Sequence, residues 1–183
     1  MTINKKPLLA ESDIKRSLTR IAFEIIERNT DPENLVLIGI QSRGEPLAIR
    51  LNDLLKIQLK QEIPLGSLDI TFHRDDFRTR LLVPQVKATN IPFSLDGKTV
   101  ILVDDVLYTG RTIRAALDVL VTYGRPAAVQ LAVLVDRGHR ELPIKADYVG
   151  KNIPTHEGEH VSVRLQETDS EEGVFLTSFK EAE

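Results

Sequence analysis

Apolar residues Ile14, Leu18, Ile21, Ala22, Ile25 and Ile26 recur at intervals of three and four, forming one stripe of a helix. They predict an amphipathic helix over residues 12–28, with Ser12 as its N-cap. Leu35 to Ile40 is a short continuous apolar run, read as a buried strand that leads into the loop Gln41-Ser42-Arg43-Gly44 and a second helix to about Leu55. Leu68 to Phe72 is a further strand candidate. Thr99 to Val103 is rich in β-branched residues without alternation, the pattern of a strand covered on both faces. Arg111 to Tyr123 reads as a helix stopped by Gly124, with Pro126 beyond it. Val129 to Val135 is another buried strand, while Val161 to Leu165 and Val174 to Phe179 suit edge strands or a hairpin. Strands separated by helices predict an α/β fold on a parallel sheet. In such sheets ligands sit beyond the carboxyl ends of the strands, so the loops after Ile40, Val103 and Val135 are the places to search.

Between these elements, His73 to Phe93 shows no period and mixes Arg, Asp, Pro and Asn; a loop of that length in a compact domain is usually functional or disordered. The 183 residues, 42% hydrophobic and 28% charged, fit one domain over 1–183 with an ordinary core. The absence of cysteine excludes disulfides, thiolate metal sites and a cysteine nucleophile, and it fits a reducing cytoplasmic setting. The first residues reach charge too quickly for a signal peptide, and no apolar run approaches the ~20 residues of a membrane helix. The net charge of −3 hides an asymmetry. From Glu157 onward eight acids face only Arg164 and Lys180, a segment of −6 beside a mildly basic body. Charge of this size is read first as a solvated surface.

The chemistry concentrates in VILVDDVLYTGRT, Val100 to Thr112. A buried strand runs into two carboxylates, Asp104 and Asp105, then a turn brings Thr109-Gly110-Arg111-Thr112 to a helix start. Glycine allows close backbone approach, and the free N–H groups of the first helical turn form an anion site. The threonine hydroxyls and Arg111 add donors. The G-x-x-x-x-G-K spacing of a Walker A loop is absent. Adjacent carboxylates before a phosphate cradle suit a ribose 5-phosphate, with hydroxyls on the acids and phosphate on the helix. The alternative for any one of these residues is a cap or a turn.

This string resembles the 5-phosphoribosyl-1-diphosphate (PRPP) motif of type I phosphoribosyltransferases. Together with DRGHRELPIKADYVGKNIPT at 136–155, LTRIA at 18–22, GIQSRG at 39–44 and LDITFHRDD at 68–76, it resembles the family of bifunctional pyrimidine-operon regulators and uracil phosphoribosyltransferases. The resemblance implies the type I fold, a central parallel sheet flanked by helices with a small hood of additional strands. It implies conversion of uracil and PRPP to UMP and diphosphate with Mg²⁺. Asp104 and Asp105 then hold the ribose hydroxyls, and Val106, Leu107, Tyr108, Thr109, Gly110, Arg111 and Thr112 complete the PRPP motif around the 5-phosphate. Ser42, Arg43 and Gly44 match the diphosphate loop, with serine where the family commonly has threonine. On its own, Arg43 reads as a surface salt bridge. Arg74, Asp75 and Asp76 match the flexible loop, around 73–93, that closes over substrates. Catalysis rests on Arg43, Arg74, Asp104 and Asp105, and Val135, Asp136 and Arg137 lie near the nucleobase.

The same family binds a stem-loop in the leader mRNA of pyrimidine genes, promoted by UMP. The resemblance puts Thr19, Arg20, His139, Arg140, Lys145 and Lys151 on the RNA face, where cations would meet phosphates. Family members often carry histidine where Phe23 stands and arginine where Lys145 stands. At about 100° per residue, Phe23 points away from the apolar stripe, as an RNA-stacking platform or an interface residue. A homodimer or dimer-based tetramer follows from the resemblance alone. Two other readings remain: a phosphoribosyltransferase for another base such as hypoxanthine, and a regulator that binds nucleotides without turnover.

Overall fold

In the computed structural model, residues 2–71, 88–156 and 158–180 are described. Five parallel strands form the central sheet in the order β3-β2-β4-β5-β6, from β2 (Leu35–Ile40), β3 (Leu65–Leu68), β4 (Thr99–Leu107), β5 (Ala128–Asp136) and β6 (Tyr148–Asn152). Alternate strand residues face opposite layers. Leu35, Leu37, Ile101, Val103, Ala132 and Leu134 pack against α1 (Glu11–Arg28) and α2 (Gly44–Leu59). Val36, Ile38, Val100, Leu102, Leu131 and Val133 pack against α3 (Arg111–Leu120). Burial on both faces is why these strands read as unbroken apolar runs.

A second sheet, antiparallel in the order β1-β8-β7, joins β1 (Thr2–Leu9), β7 (Glu159–Arg164) and β8 (Gly173–Lys180). This is the hood, and its Val163 and Val174 share the core of α1 and α2. Between β7 and β8 lies the single turn α4 (Gln166–Asp169). A parallel sheet flanked by helices, with an antiparallel hood, is the arrangement that the type I resemblance implied.

Several boundaries differ from the sequence reading, each for a local reason. Ala10, not Ser12, is the N-cap of α1, because the Asp13 carboxylate accepts the Ala10 N–H at 3.0 Å and closes the helix end. The strand expected over 68–72 lies instead at Leu65–Leu68; the Asp69 carboxylate accepts the Thr71 N–H at 2.8 Å and turns the chain. Phe72 is outside the described residues. β4 runs past Val103 through both aspartates to Leu107, since its ladder with β5 continues at Val106↔Val135 and Leu107↔Asp136. The third helix ends at Leu120 and continues to Tyr123 as a single 3₁₀ turn. β1 and β6 were not foreseen. Pro7 and the Lys5-Lys6 pair mask β1, and an edge position makes that proline tolerable.

Candidate active site

The two aspartates stand near the carboxyl end of the sheet's middle strand. Asp104 is only 6% exposed. Its Oδ1 accepts the Asp105 N–H at 2.9 Å, and Asp105 Oδ1 accepts the Val106 N–H at 2.8 Å. These bonds to their own backbone fix the side chains. Burial pushes the Asp105 carboxyl above its ordinary value, opposed by the Val106 N–H and by the charge of Arg43.

Beyond Leu107 the chain passes the exposed Tyr108 and reaches Gly110, whose φ of 94° lies in the left-handed region that suits glycine. Gly110 is the N-cap of α3, so the first amides of that helix have no carbonyl of their own turn to bind. Thr109 and Thr112 flank this end, and Arg111 reaches across to Glu141 at 2.6 Å. Val106 packs against the core and Leu107 lies within it, so they serve the site as strand, not as side chains.

The diphosphate-loop candidate lies against the same strand. A Cβ on Gly44 would come 2.3 Å from Val103 O and 3.2 Å from Asp104 Cα, so only glycine lets this loop approach the aspartates. The Gln41–Ser42 peptide is cis and Ser42 is exposed. Arg43 is in a salt bridge after all, but a half-buried one: Nε and Nη2 donate to Asp169 Oδ2 and Oδ1 at 3.0 and 2.7 Å. The Arg43 guanidinium holds the Asp169 carboxyl far below the usual carboxylate range, helped by the Leu165 N–H and Arg164.

The segment after β5 is tied over the phosphate-loop candidate. Glu141 N–H and Leu142 N–H both donate to Thr109 O, at 3.0 and 3.2 Å, and Arg137 N–H donates to Leu107 O at 3.0 Å. Arg140 donates to Ile144 O at 2.9 Å, Tyr108 O at 2.8 Å, Gly138 O at 3.3 Å and Asp136 Oδ2 at 2.5 Å. Arg137, 7% exposed, donates to Thr155 Oγ1 at 3.0 Å and Glu159 O at 2.7 Å, with its guanidinium 3.8 Å above the Tyr108 ring. Val135 is a core side chain, so any part it takes in base recognition is through its backbone.

The six residues assigned to RNA fall into two groups. Thr19 and Arg20 lie on α1, where Arg20 donates to Gly150 O at 2.6 Å and Val149 O at 3.1 Å on β6. Lys151 belongs to this group, close enough to lower the Asp13 carboxyl slightly beyond the larger effects of Ala10 N–H and Arg16. Phe23, 52% exposed, is seated beside Ser12, Lys15, Arg16, Thr19 and Arg20 around a shallow hollow. Arg140 belongs instead to the active-site loop, as does His139, whose Nε2 is 2.6 Å from Thr155 O. Lys145 is exposed. Arg74, Asp75 and Asp76 lie outside the described residues.

Asp169, Arg164, Glu141 and Thr155 were missed as site residues. The acidic segment was the one available signal, and it was read as a solvated surface. Instead Asp169 pairs with Arg43 and Arg164, Glu167 and Glu172 with Arg50, and Glu171 with Lys5.

Residues 6–168 match the phosphoribosyl transferase domain family. In structure the chain is similar to a hypoxanthine-guanine phosphoribosyltransferase from Bacillus anthracis, with a TM-score of 0.72 at 19% identity, covering 97% of this chain and 100% of that one. It is also similar to the hypoxanthine phosphoribosyltransferase of Trypanosoma cruzi, with a TM-score of 0.70 at 22% identity over 96% and 97%. Fold and site thus define a phosphoribosyltransferase. In sequence the similarity is nearer: "Bifunctional protein PyrR" of Pelotomaculum thermopropionicum is 58% identical over 96% of this chain and 97% of its own length. The PyrR proteins of Deinococcus radiodurans and Clostridioides difficile are 57% and 53% identical, over 96% and 95% of this chain and 96% and 98% of their own. The chain belongs to the bifunctional PyrR family of phosphoribosyltransferases.

Proposed function

We propose that the chain transfers the phosphoribosyl group of PRPP to uracil, giving UMP and diphosphate, and that UMP promotes its binding to a stem-loop in pyrimidine-gene leader mRNA. The observation that carries the enzymatic half is the convergence of three parts on one strand. The Asp104–Asp105 pair, with Asp104 buried and Asp105 half-buried, the Gly110-led helix end and the Arg43–Gly44 loop all meet at the carboxyl end of β4. Asp104 and Asp105 receive the ribose hydroxyls, the amides from Thr109 to Thr112 receive the 5-phosphate, and Ser42–Gly44 receives the diphosphate. Arg74, Asp75 and Asp76, which lie outside the described residues, are assigned to the substrate-binding machinery. The nucleobase lies by Val135–Arg137.

Breaking the anomeric bond develops positive charge on the ribose and negative charge on the leaving diphosphate. Asp105 faces the first with a carboxylate whose charge is only partly balanced by Arg43, and Arg43 faces the second. Catalysis is positioning and electrostatics, without an enzymic nucleophile. Adjacent carboxylates are the oxygen donors a Mg²⁺ ion prefers, and the described residues hold no cluster of three or more potential ligands. Mg²⁺ would be held mainly by the diphosphate and ribose oxygens of PRPP, with Asp104 and Asp105 as carboxylates able to join them, and it would supply charge neutralisation on the diphosphate. Exclusion of water from the bound substrates prevents wasteful hydrolysis.

For RNA, the hollow around Phe23 joins an aromatic ring to Lys15, Arg16 and Arg20, which suits stacking and phosphate contact. Lys151 extends that face. Arg140, His139 and Lys145 stand on the loop that also crosses the phosphate site, which gives bound UMP a route to the RNA face. We place the protein in the cytoplasm; no helix among the described residues is long and apolar enough to cross a membrane. A homodimer or dimer-based tetramer completes the proposal.

The enzymatic test is diphosphate release from PRPP with uracil, with hypoxanthine and with no base. Release with uracil alone is expected. Turnover with hypoxanthine instead would overturn the base assignment, and no turnover would leave a binding-only regulator. The regulatory half is tested by binding to a leader stem-loop against a scrambled hairpin, with and without UMP. Selective binding strengthened by UMP is expected.

A further inference from the structure

Arg43 carries the chemistry of the diphosphate loop, yet it is the N-cap residue of α2 on an exposed turn, with a long side chain of many rotamers. Something must hold it. Its Nε and Nη2 edge is taken by both oxygens of Asp169, and no hydrogen bond engages Nη1 among the described residues. The Asp169 side chain is 6% exposed and is itself fixed by the Leu165 N–H at 3.0 Å and by Arg164 Nη1 at 3.0 Å. Two arginines share one carboxylate, so Asp169 alone does not cancel the charge of Arg43 and Arg164. The anchoring turn α4 hangs between the hood strands β7 and β8.

We propose that Asp169 is a positioning residue for the reaction: it clamps one edge of the Arg43 guanidinium so that the other edge is presented to the diphosphate of PRPP. The inference rests on the reading of Ser42–Gly44 as the diphosphate loop. A planar guanidinium suits this division, since one edge makes a bidentate carboxylate pair and leaves donors on the other. Arg164 offsets the charge that Asp169 brings. The hood thereby has a chemical task in addition to covering the core.

The test is steady-state kinetics of D169N, D169E, R43A and the double variant R43A/D169N, with inorganic pyrophosphate as a product inhibitor. D169N is expected to raise the KM for PRPP about tenfold or more and weaken pyrophosphate inhibition by a similar factor, the scale of one charge-assisted bond. The KM for uracil should stay within about twofold, because this loop does not bind the base. In the R43A background D169N should change nothing further, which a merely structural role would not produce. D169E keeps the charge one methylene further out and should recover part of the loss. If D169N does not fold, a rise in PRPP KM for D169E that vanishes in the R43A background supports the same conclusion, and its absence overturns it. An unchanged or lowered PRPP KM in D169N overturns the inference, the lowered value showing that Asp169 competes with diphosphate. R43A with parental PRPP kinetics overturns the diphosphate-loop reading and the inference with it.

Discussion

Asp105 and Asp169 both feel the charge of Arg43 and are pushed in opposite directions. Burial raises the Asp105 carboxyl, with Arg43 only partly compensating. The bidentate Arg43 pair lowers the Asp169 carboxyl. One acid is thus held at a cost to the fold while the other strengthens it. Function is concentrated where the charge is costly, and the neighbouring arginine is fixed where the charge is well paired.

The contrast breaks first in catalysis. D105N should reduce kcat/KM by about 10²–10³-fold, the scale of losing one preorganised electrostatic contact. UMP formation within tenfold of the parent would remove Asp105 from the reaction.

R140A comes next. By resemblance Arg140 belongs to RNA binding alone, but its guanidinium ties Tyr108 O, Gly138 O, Ile144 O and Asp136 into one loop. Both activities should therefore fall. Unfolding free energy should drop by about 2–3 kcal/mol because Asp136 loses its charged donor and the carbonyls lose theirs. Denaturant melts with PRPP kinetics check this, and a variant that loses RNA alone would return Arg140 to the RNA face.

Stability against pH sharpens the comparison itself. A raised folded value means that Asp105 weakens the fold above its own titration, so D105N should be more stable than the parent at neutral pH. That advantage should vanish as pH falls through the acid range and the parent carboxyl takes up its proton. A lowered folded value means that Asp169 strengthens the fold above the ordinary carboxylate value. D169N should therefore be less stable by about 1–3 kcal/mol at neutral pH, and the gap should close as acid protonates the parent. Melts from pH 7 downward would show the two gaps with opposite sign. Gaps of the same sign would sink the comparison. The smallest effect belongs to F23A, within about 0.5 kcal/mol because the ring is half exposed, with uracil turnover unchanged. A larger loss of stability would make Phe23 part of the packing.

The central sheet was legible because strands covered on both faces leave unbroken apolar runs, and Asp104–Asp105 was legible because its partners follow within eight residues. Asp169 was not. Its partner Arg43 lies 126 positions away, and composition records only that both charges exist. β1 was hidden for a related reason: an edge strand of mixed lysine and proline gains its pattern from β8, which sequence periodicity cannot supply. The ties of Arg140 were not legible either, because a cation at a loop looks the same in sequence whether it faces solvent or four internal acceptors.

The hood also bears on how the chain matures during synthesis. β1 emerges from the ribosome early but, among the described residues, pairs with β8 alone, and Arg43 waits for an anchor more than a hundred residues downstream. The central sheet has all its strands once Asn152 has emerged, whereas the Arg43 anchor must await Asp169. Catalytic competence should therefore lag behind acquisition of the fold, and a nascent chain stalled between those two positions should resist proteolysis across the sheet before it can hold PRPP tightly.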